Sequence, residues 1–171
     1  EISNNATIVE QSIKCQDGSF RIVQYCKGRL LGKGGFAECF SATNEKNEPF
    51  AMKIIPKTLL TKKKSREKLQ TEIRIHRTLN HPRIVKFDSF FEDKDNVYIL
   101  LELCRKTTLS DLLKKKRRFS DRETRIFIRQ ILDALFYLHR NDIIHRDLKL
   151  SNLFLDCENK IKMGDFGLAA R

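Results

Sequence analysis

The chain has no tryptophan, and its 171 residues include only seven glycines and three prolines. So little Gly and Pro excludes a collagen-like or low-complexity chain. The five cysteines, at 15, 26, 39, 104 and 157, form no C-x-x-C pair and have no histidine at zinc-ligand spacing. That pattern argues for reduced thiols in a cytoplasmic or nuclear protein, not for a disulfide framework. Residues 1–28 lack an apolar stretch flanked by positive charge, so no signal peptide is expected. No apolar run reaches membrane-spanning length; the longest, Val97 to Leu103, is broken by Glu102, so no membrane partner is expected. Acidic residues are the minority, 22 against 34 Lys and Arg, for a formal charge of +12. A basic surface suits polyanions, including nucleotide phosphates and acidic peptides. Much of the excess sits in Lys62-Lys63-Lys64 and in Lys114 to Arg118, with no aromatic residue interleaved. Single-strand platforms need stacking rings beside their cations. These runs therefore read as solvated faces, and no nucleic-acid partner is expected.

What is present is enough for a core: 40% hydrophobic residues, with twelve Phe. The length suits one domain or two small lobes around a shared cleft. Residues 1–26 are polar and weakly patterned and read as a leader or linker. Gly28 to Phe40 reads as a hairpin with Gly32, Gly34 and Gly35 in its turn, and Phe50 to Ile55 as a buried strand stopped by Pro56. Ser65 to Leu79 places Leu69, Glu72, Ile73, His76 and Leu79 on one helical face. Shorter β-rich runs follow at Ile84 to Phe91 and Val97 to Leu101. Ser120 and Glu123 form a capping box that opens a helix with an apolar stripe of Phe127, Ile131, Leu135 and Leu138. His139 and Arg140 close it, where positive charge meets the negative helix end. A hairpin then joins Leu153–Asp156 to Lys160–Gly164. There are no internal repeats. Strands and one helix precede mostly helix, which predicts an α+β fold with an N-terminal lobe at 27–103 and a second, partial one at 104–171.

Three groups of residues carry chemistry. Gly32-x-Gly34-x-x-Ala37 lies between strands, which removes a dinucleotide fingerprint, since that needs a helix next. No Gly-Lys-Ser/Thr closes it as a Walker loop. An ordinary tight turn and a loop that covers phosphates both stay open. Lys53 lies inside the apolar strand Ala51-Met52-Lys53-Ile54-Ile55, and Glu72 lies on the apolar face of its helix. Each charge is costly there unless paired. A structural ion pair explains both, and so does a lysine poised over phosphates and braced by the glutamate. The third group is His145-Arg146-Asp147-Leu148-Lys149-Leu150-Ser151-Asn152, followed across a hairpin by Asp165-Phe166-Gly167. Its carboxylate and amide oxygens suit Mg²⁺, which prefers hard oxygen ligands.

In this order the three groups form the signature set of protein kinases. From about Gly28 to Arg171 the chain resembles the polo-like family of serine/threonine kinases. The run Gly32-Lys33-Gly34-Gly35-Phe36-Ala37-Glu38-Cys39-Phe40 carries that resemblance, with Ala37 and Cys39 as family features. So do Arg66-Glu67-Lys68, Phe90-Phe91-Glu92-Asp93, Leu101-Glu102-Leu103-Cys104, Tyr137-Leu138-His139-Arg140 and Leu148-Lys149-Leu150.

The resemblance implies a two-lobed kinase domain joined near Glu102 to Arg105, using ATP and Mg²⁺ to phosphorylate Ser and Thr of protein substrates. It implies that amides of Gly32, Lys33, Gly34, Gly35, Phe36 and Ala37 cover the phosphates, with Leu31 beside them, and that Lys53, braced by Glu72, contacts the α and β groups. Adenine would lie between Cys39 and Ala51 above and Phe154 below, next to the gatekeeper Leu101, with backbone bonds to Glu102 and Cys104. Asp147 would take or orient the hydroxyl proton, Lys149 would neutralise the transferring phosphoryl group, and Asn152 and Asp165 would hold Mg²⁺. No special thiol reactivity is expected of Cys39 or Cys104. His76 resembles a position that stacks toward Phe166 and His145. The family also implies a cell-division role and addresses at centrosome, spindle or kinetochore. The sequence specifies no oligomeric state. It stops four residues after Gly167, before any activation segment, so a nucleotide-binding or interaction fragment without its own catalysis is the alternative. For the isolated chain, exposure of the stripe at Phe127, Ile131, Leu135 and Leu138 is expected.

Overall fold

The first half of the chain forms an antiparallel sheet, seen in a computed structural model that describes residues 7–35, 37–104 and 107–171. Its strands are β1 (Thr7–Lys14), β2 (Phe20–Lys33), β3 (Glu38–Asn44), β4 (Pro49–Pro56), β5 (Phe87–Glu92) and β6 (Asn96–Glu102), in the order β1-β2-β3-β4-β6-β5. The remainder comprises α1 (Lys63–His76), α2 (Leu109–Lys116), α3 (Asp121–Arg140) and the small hairpin β7 (Leu153–Leu155) and β8 (Ile161–Met163). The chain divides into two compact units, Glu1–Lys62 with Asp88–Leu103, and Lys63–Phe87 with Cys104–Arg171.

The expected leader is half of a hairpin. β1 pairs with β2 from Thr7↔Lys27 to Lys14↔Phe20. Val9, Gln11 and Tyr25 are buried, the Tyr25 hydroxyl donates to Gln11 Oε1 at 3.0 Å, and the Tyr25 ring stacks on Phe91. The sequence hid this strand because a glutamine occupies an inward position while Ile8, Phe20 and Ile22 point outward. A period-two signal needs the reverse assignment.

The expected lobe boundary also shifts, because α1 belongs to the second unit. Ile75, Leu79 and Ile84 share a core there with Phe127, Leu138, Ile143, Met163 and Phe166. Two backbone bonds, Val85 N–H to Met163 O and Met163 N–H to Arg83 O, fasten the turn after α1 to β8.

Helix α3 begins at the expected cap. Ser120 accepts from the Glu123 amide, and the Glu123 side chain accepts from the Ser120 amide. Its buried stripe is the expected one, but the stripe is covered instead of exposed. Phe127 is 8% and Leu138 0% accessible, and Ile131 and Leu135 pack against the same core. The exposed apolar side chains are Ile126, Ile128, Leu132 (58%) and Phe136 (63%), with Arg140 over the Phe136 ring. The stripe is covered because the turn after α1 and the β7–β8 hairpin supply its partners.

Candidate functional site

In the first unit, register puts the expected nucleotide-contacting side chains on one face of the sheet. Cys39 is opposite Lys53, which is opposite Ile99, and Ser41 is opposite Ala51, which is opposite Leu101. Directly paired residues share a face, so Cys39, Ala51, Lys53 and Leu101 line up together. Phe50 and Glu102 pair on the other face. Burial pushes the Cys39 thiol up, against the opposing pull of the Lys53 charge.

The turn between β2 and β3 is closed by Gly34 N–H to Ala37 O at 2.8 Å and by a Lys33–Glu38 ion pair at 2.8 Å. A Cβ at Gly32 or Gly35 would meet nothing within 4 Å, and one at Gly34 would make only an ordinary contact. None of the three has a left-handed φ. Neither packing nor backbone strain therefore requires glycine here, which favours the reading in which bare amides are left for a ligand to approach. Leu31 is exposed at the start of this turn, and the expected contact at Phe36 lies outside the described residues.

In the second unit the residues from His145 to Asn152 form a hydrogen-bonded cluster. Lys149 Nζ donates to Asp147 Oδ2 at 2.8 Å. Asn152 Nδ2 donates to the same oxygen at 3.0 Å and to Asp147 O at 2.9 Å. The Lys149 ammonium, then the Asn152 amide, hold the Asp147 carboxyl below its usual range, and Asp147 in turn raises Lys149. Asp165 adds to the rise at Lys149 through its charge. Both donors use Oδ2, which leaves the lone pairs of Oδ1 outside these two bonds.

Beneath this cluster lies His145, whose tautomer follows from its partners. Nδ1 accepts from Asp147 N–H at 3.3 Å, and Nε2 lies 3.0 Å from Gly164 O. A carbonyl only accepts, so Nε2 is the ring nitrogen that carries the hydrogen here. Asn152 O accepts from Gly164 N–H, which ties the cluster to β8. Arg146 and Asp165 both adopt left-handed φ, 62° and 60°. Non-glycine residues held there concentrate at functional sites.

Asn152 and Asp165 present an amide oxygen and an exposed carboxylate, hard donors of the kind a divalent magnesium ion takes. The Asn152 amide nitrogen is committed to Asp147, which leaves its oxygen for a cation. Phe154 is half-buried on β7, bridged to Thr108, and Cys104 is half-buried. Glu72 Oε2 comes within 3.3 Å of where a Gly167 Cβ would sit, so the helix carboxylate lies beside Asp165-Phe166-Gly167. One residue the sequence reading passed over is Gly164. A Cβ there would meet the Phe154 ring at 2.9 Å and Val85 at 3.1 Å. Its only signal in sequence is a glycine directly before Asp165.

A model of the protein kinase domain matches residues 25–171. A probable serine/threonine-protein kinase PLK of Dictyostelium discoideum is 49% identical over 165 residues, covering 96% of this chain and 17% of its own length. The probable serine/threonine-protein kinase CCRP1 of Zea mays is 47% identical over 166 residues, 96% of this chain and 26% of its own. The serine/threonine-protein kinase PLK1 of Xenopus laevis is 49% identical over 149 residues, 86% and 25% respectively. The chain belongs to the protein kinase family, on its polo-like serine/threonine branch. It spans well under a third of the length of each of these relatives.

Proposed function

We propose that this chain carries the nucleotide-engaging and catalytic residues of a kinase that moves the γ-phosphoryl group of ATP to Ser and Thr hydroxyls of proteins. The observation that carries the reading is the Asp147 carboxylate, held ionised and fixed by Lys149 and Asn152 through one oxygen. Its other oxygen can accept the hydroxyl proton and aim the nucleophile. Lys149 carries a charge that can shift from Asp147 toward the transferring group. Phosphoryl transfer passes through a loose transition state, so positioning and neutralisation of charge supply most of the catalysis.

In this reading the amides from Gly32 to Ala37 take the phosphates, Lys53 braced by Glu72 neutralises the α and β groups, and Cys39, Ala51, Leu101 and Phe154 contact the adenine, with backbone bonds to Glu102 and Cys104. Asn152 and Asp165 would hold Mg²⁺, which would supply positive charge beside the phosphates. Membership of the polo-like branch supports a role in cell division, in cytoplasm and nucleus, with centrosome, spindle and kinetochore as its places of work. None of the helices among the described residues is long and apolar enough to cross a membrane.

Lys53→Met tests the phosphate assignment, with Mg·ATP affinity read by calorimetry and transfer read on casein. The expected result is weakened binding and a turnover loss of about a hundredfold, the typical cost of removing one preorganised electrostatic contact. Unchanged affinity and turnover refute the assignment. Nucleotide binding with no transfer in the unaltered kinase would support the binding-only alternative.

A further inference from the structure

Strand β1 is the outermost of its sheet, where the order β1-β2-β3-β4-β6-β5 gives it a neighbour on one side only among the described residues. Its register with β2 runs without a bulge from Thr7↔Lys27 to Lys14↔Phe20. Neither glycine nor proline interrupts its sequence, TIVEQSIK. An open edge of this length is a template for another strand, and proteins usually blunt such edges with bulges, prolines, lysines or a short run. Of these devices β1 has only Lys14, at its end. Ile8, Ile13, Phe20 and Ile22 leave apolar surface exposed along the same hairpin.

The backbone groups that face the open edge follow from one bond. Cys15 N–H donates to Ser19 O at 2.8 Å across the hairpin. In an antiparallel ladder, pairs that exchange hydrogen bonds alternate with pairs that do not. In steps of two from Cys15, the residues Ile13, Gln11, Val9 and Thr7 turn their N–H and C=O groups toward β2. Ile8, Glu10, Ser12 and Lys14 turn theirs outward.

We propose that this edge joins a second copy of the chain, β1 against β1 in antiparallel order about a twofold axis at Ser12. Each strand must offer its outward-facing residues to the other, so even positions pair with even positions. An axis at Glu10 sets that carboxylate against its own copy, and like charges directly opposite are destabilising. An axis at Gln11 or Ile13 leaves Glu10 without a cation opposite. With the axis at Ser12, Glu10 faces Lys14 of the second copy and Lys14 faces its Glu10, which pairs the only charged residues of the strand twice. Gln24 Nε2 donates to Glu10 Oε1 at 2.9 Å and holds the carboxylate on the face it shares with Lys14. On the opposite face Ile13, exposed in the single chain, comes to lie beside Gln11 of the second copy. The edge is thus complementary to itself in both backbone and charge, as a twofold interface requires.

Sedimentation equilibrium of the kinase that carries this sequence, over a wide range of concentration, tests the joint. A reversible monomer–dimer equilibrium is expected. Glu10→Lys alone, or Lys14→Glu alone, places like charges opposite each other at both pairs and should raise Kd about tenfold or more. The double variant should return to the wild-type Kd. A mixture of the two single variants should form a heterodimer of near wild-type strength, since each supplies the charge the other needs. Ser12→Pro removes an outward N–H without touching the bonds to β2, and should abolish the dimer. Glu10, Ser12 and Lys14 are all exposed, so folded monomers are the expected products, checked by unchanged circular dichroism. A wild-type protein that stays monomeric, a dimer indifferent to the single substitutions, or a double variant that is not restored overturns the proposal. Should Ser12→Pro fail to fold, the charge exchange decides alone. None of these readouts involves ATP, so they fail independently of the kinase assignment.

Discussion

Asn152 grips Asp147 twice with one nitrogen, at the backbone oxygen (2.9 Å) and at carboxylate Oδ2 (3.0 Å), while its own backbone oxygen accepts from Gly164 N–H. A buried amide thereby fixes the orientation of a partly exposed carboxylate. The loop from His145 to Asn152 is tied to the strand before Asp165 through the Asn152 backbone oxygen and the His145 ring, both on Gly164.

Replacing it tests that arrangement. Asn152→Ala should lower kcat about a hundredfold or more, the usual scale for disabling a positioned acid–base group. Asn152→Asp should not rescue it, because a carboxylate cannot donate to Asp147. Steady-state kinetics on casein check both variants, and full activity of Asn152→Asp would show that the double donation is unimportant.

Gly164 gives a prediction from space alone. Gly164→Ala drives a methyl group against the Phe154 ring and Val85. Overpacking of this kind costs about 1–3 kcal/mol, measurable by urea unfolding. The displaced ring should also raise KM for ATP, since Phe154 is assigned to the adenine floor. Loss of stability with an unchanged KM would separate Phe154 from the nucleotide.

The start of α3 carries a pH signature. The Glu123 carboxyl is lowered from 4.5 to about 2 by Lys116 first, then by the Ser120 amide and hydroxyl. A group lowered in the folded state stabilises fully above its ordinary value and loses that contribution as pH falls through the lowered one. Glu123→Gln should therefore cost stability at neutral pH, and its difference from wild type should shrink from pH 4.5 toward pH 2. Removing the cap itself, Ser120→Ala, should cost about 1 kcal/mol. Parallel urea titrations at three pH values check both.

Much of this architecture was legible because local chemistry and global fold agree. Ser120 and Glu123 announced a helix start that the hydrogen bonds reproduce, and Lys53 and Glu72 stood out because each interrupts an apolar pattern. The β1 strand was illegible for the opposite reason: Gln11 is buried through a bond to Tyr25, far along the sequence, while isoleucines face water. The covering of Phe127 and Leu138 was also hidden, since it depends on the turn at Ile84 and on β8 returning to the helix. Left-handed φ at Arg146 and Asp165 has no sequence signal, as neither residue type favours it strongly enough to announce it.

The most direct measurement is transfer of labelled γ-phosphate from Mg·ATP to casein by the kinase that carries this sequence, compared with its Asp147→Ala variant. The account predicts a fall of about a thousandfold in kcat, with nucleotide affinity nearly unchanged, because Asp147 addresses the hydroxyl and not the nucleotide. Equal rates from the two proteins would contradict it.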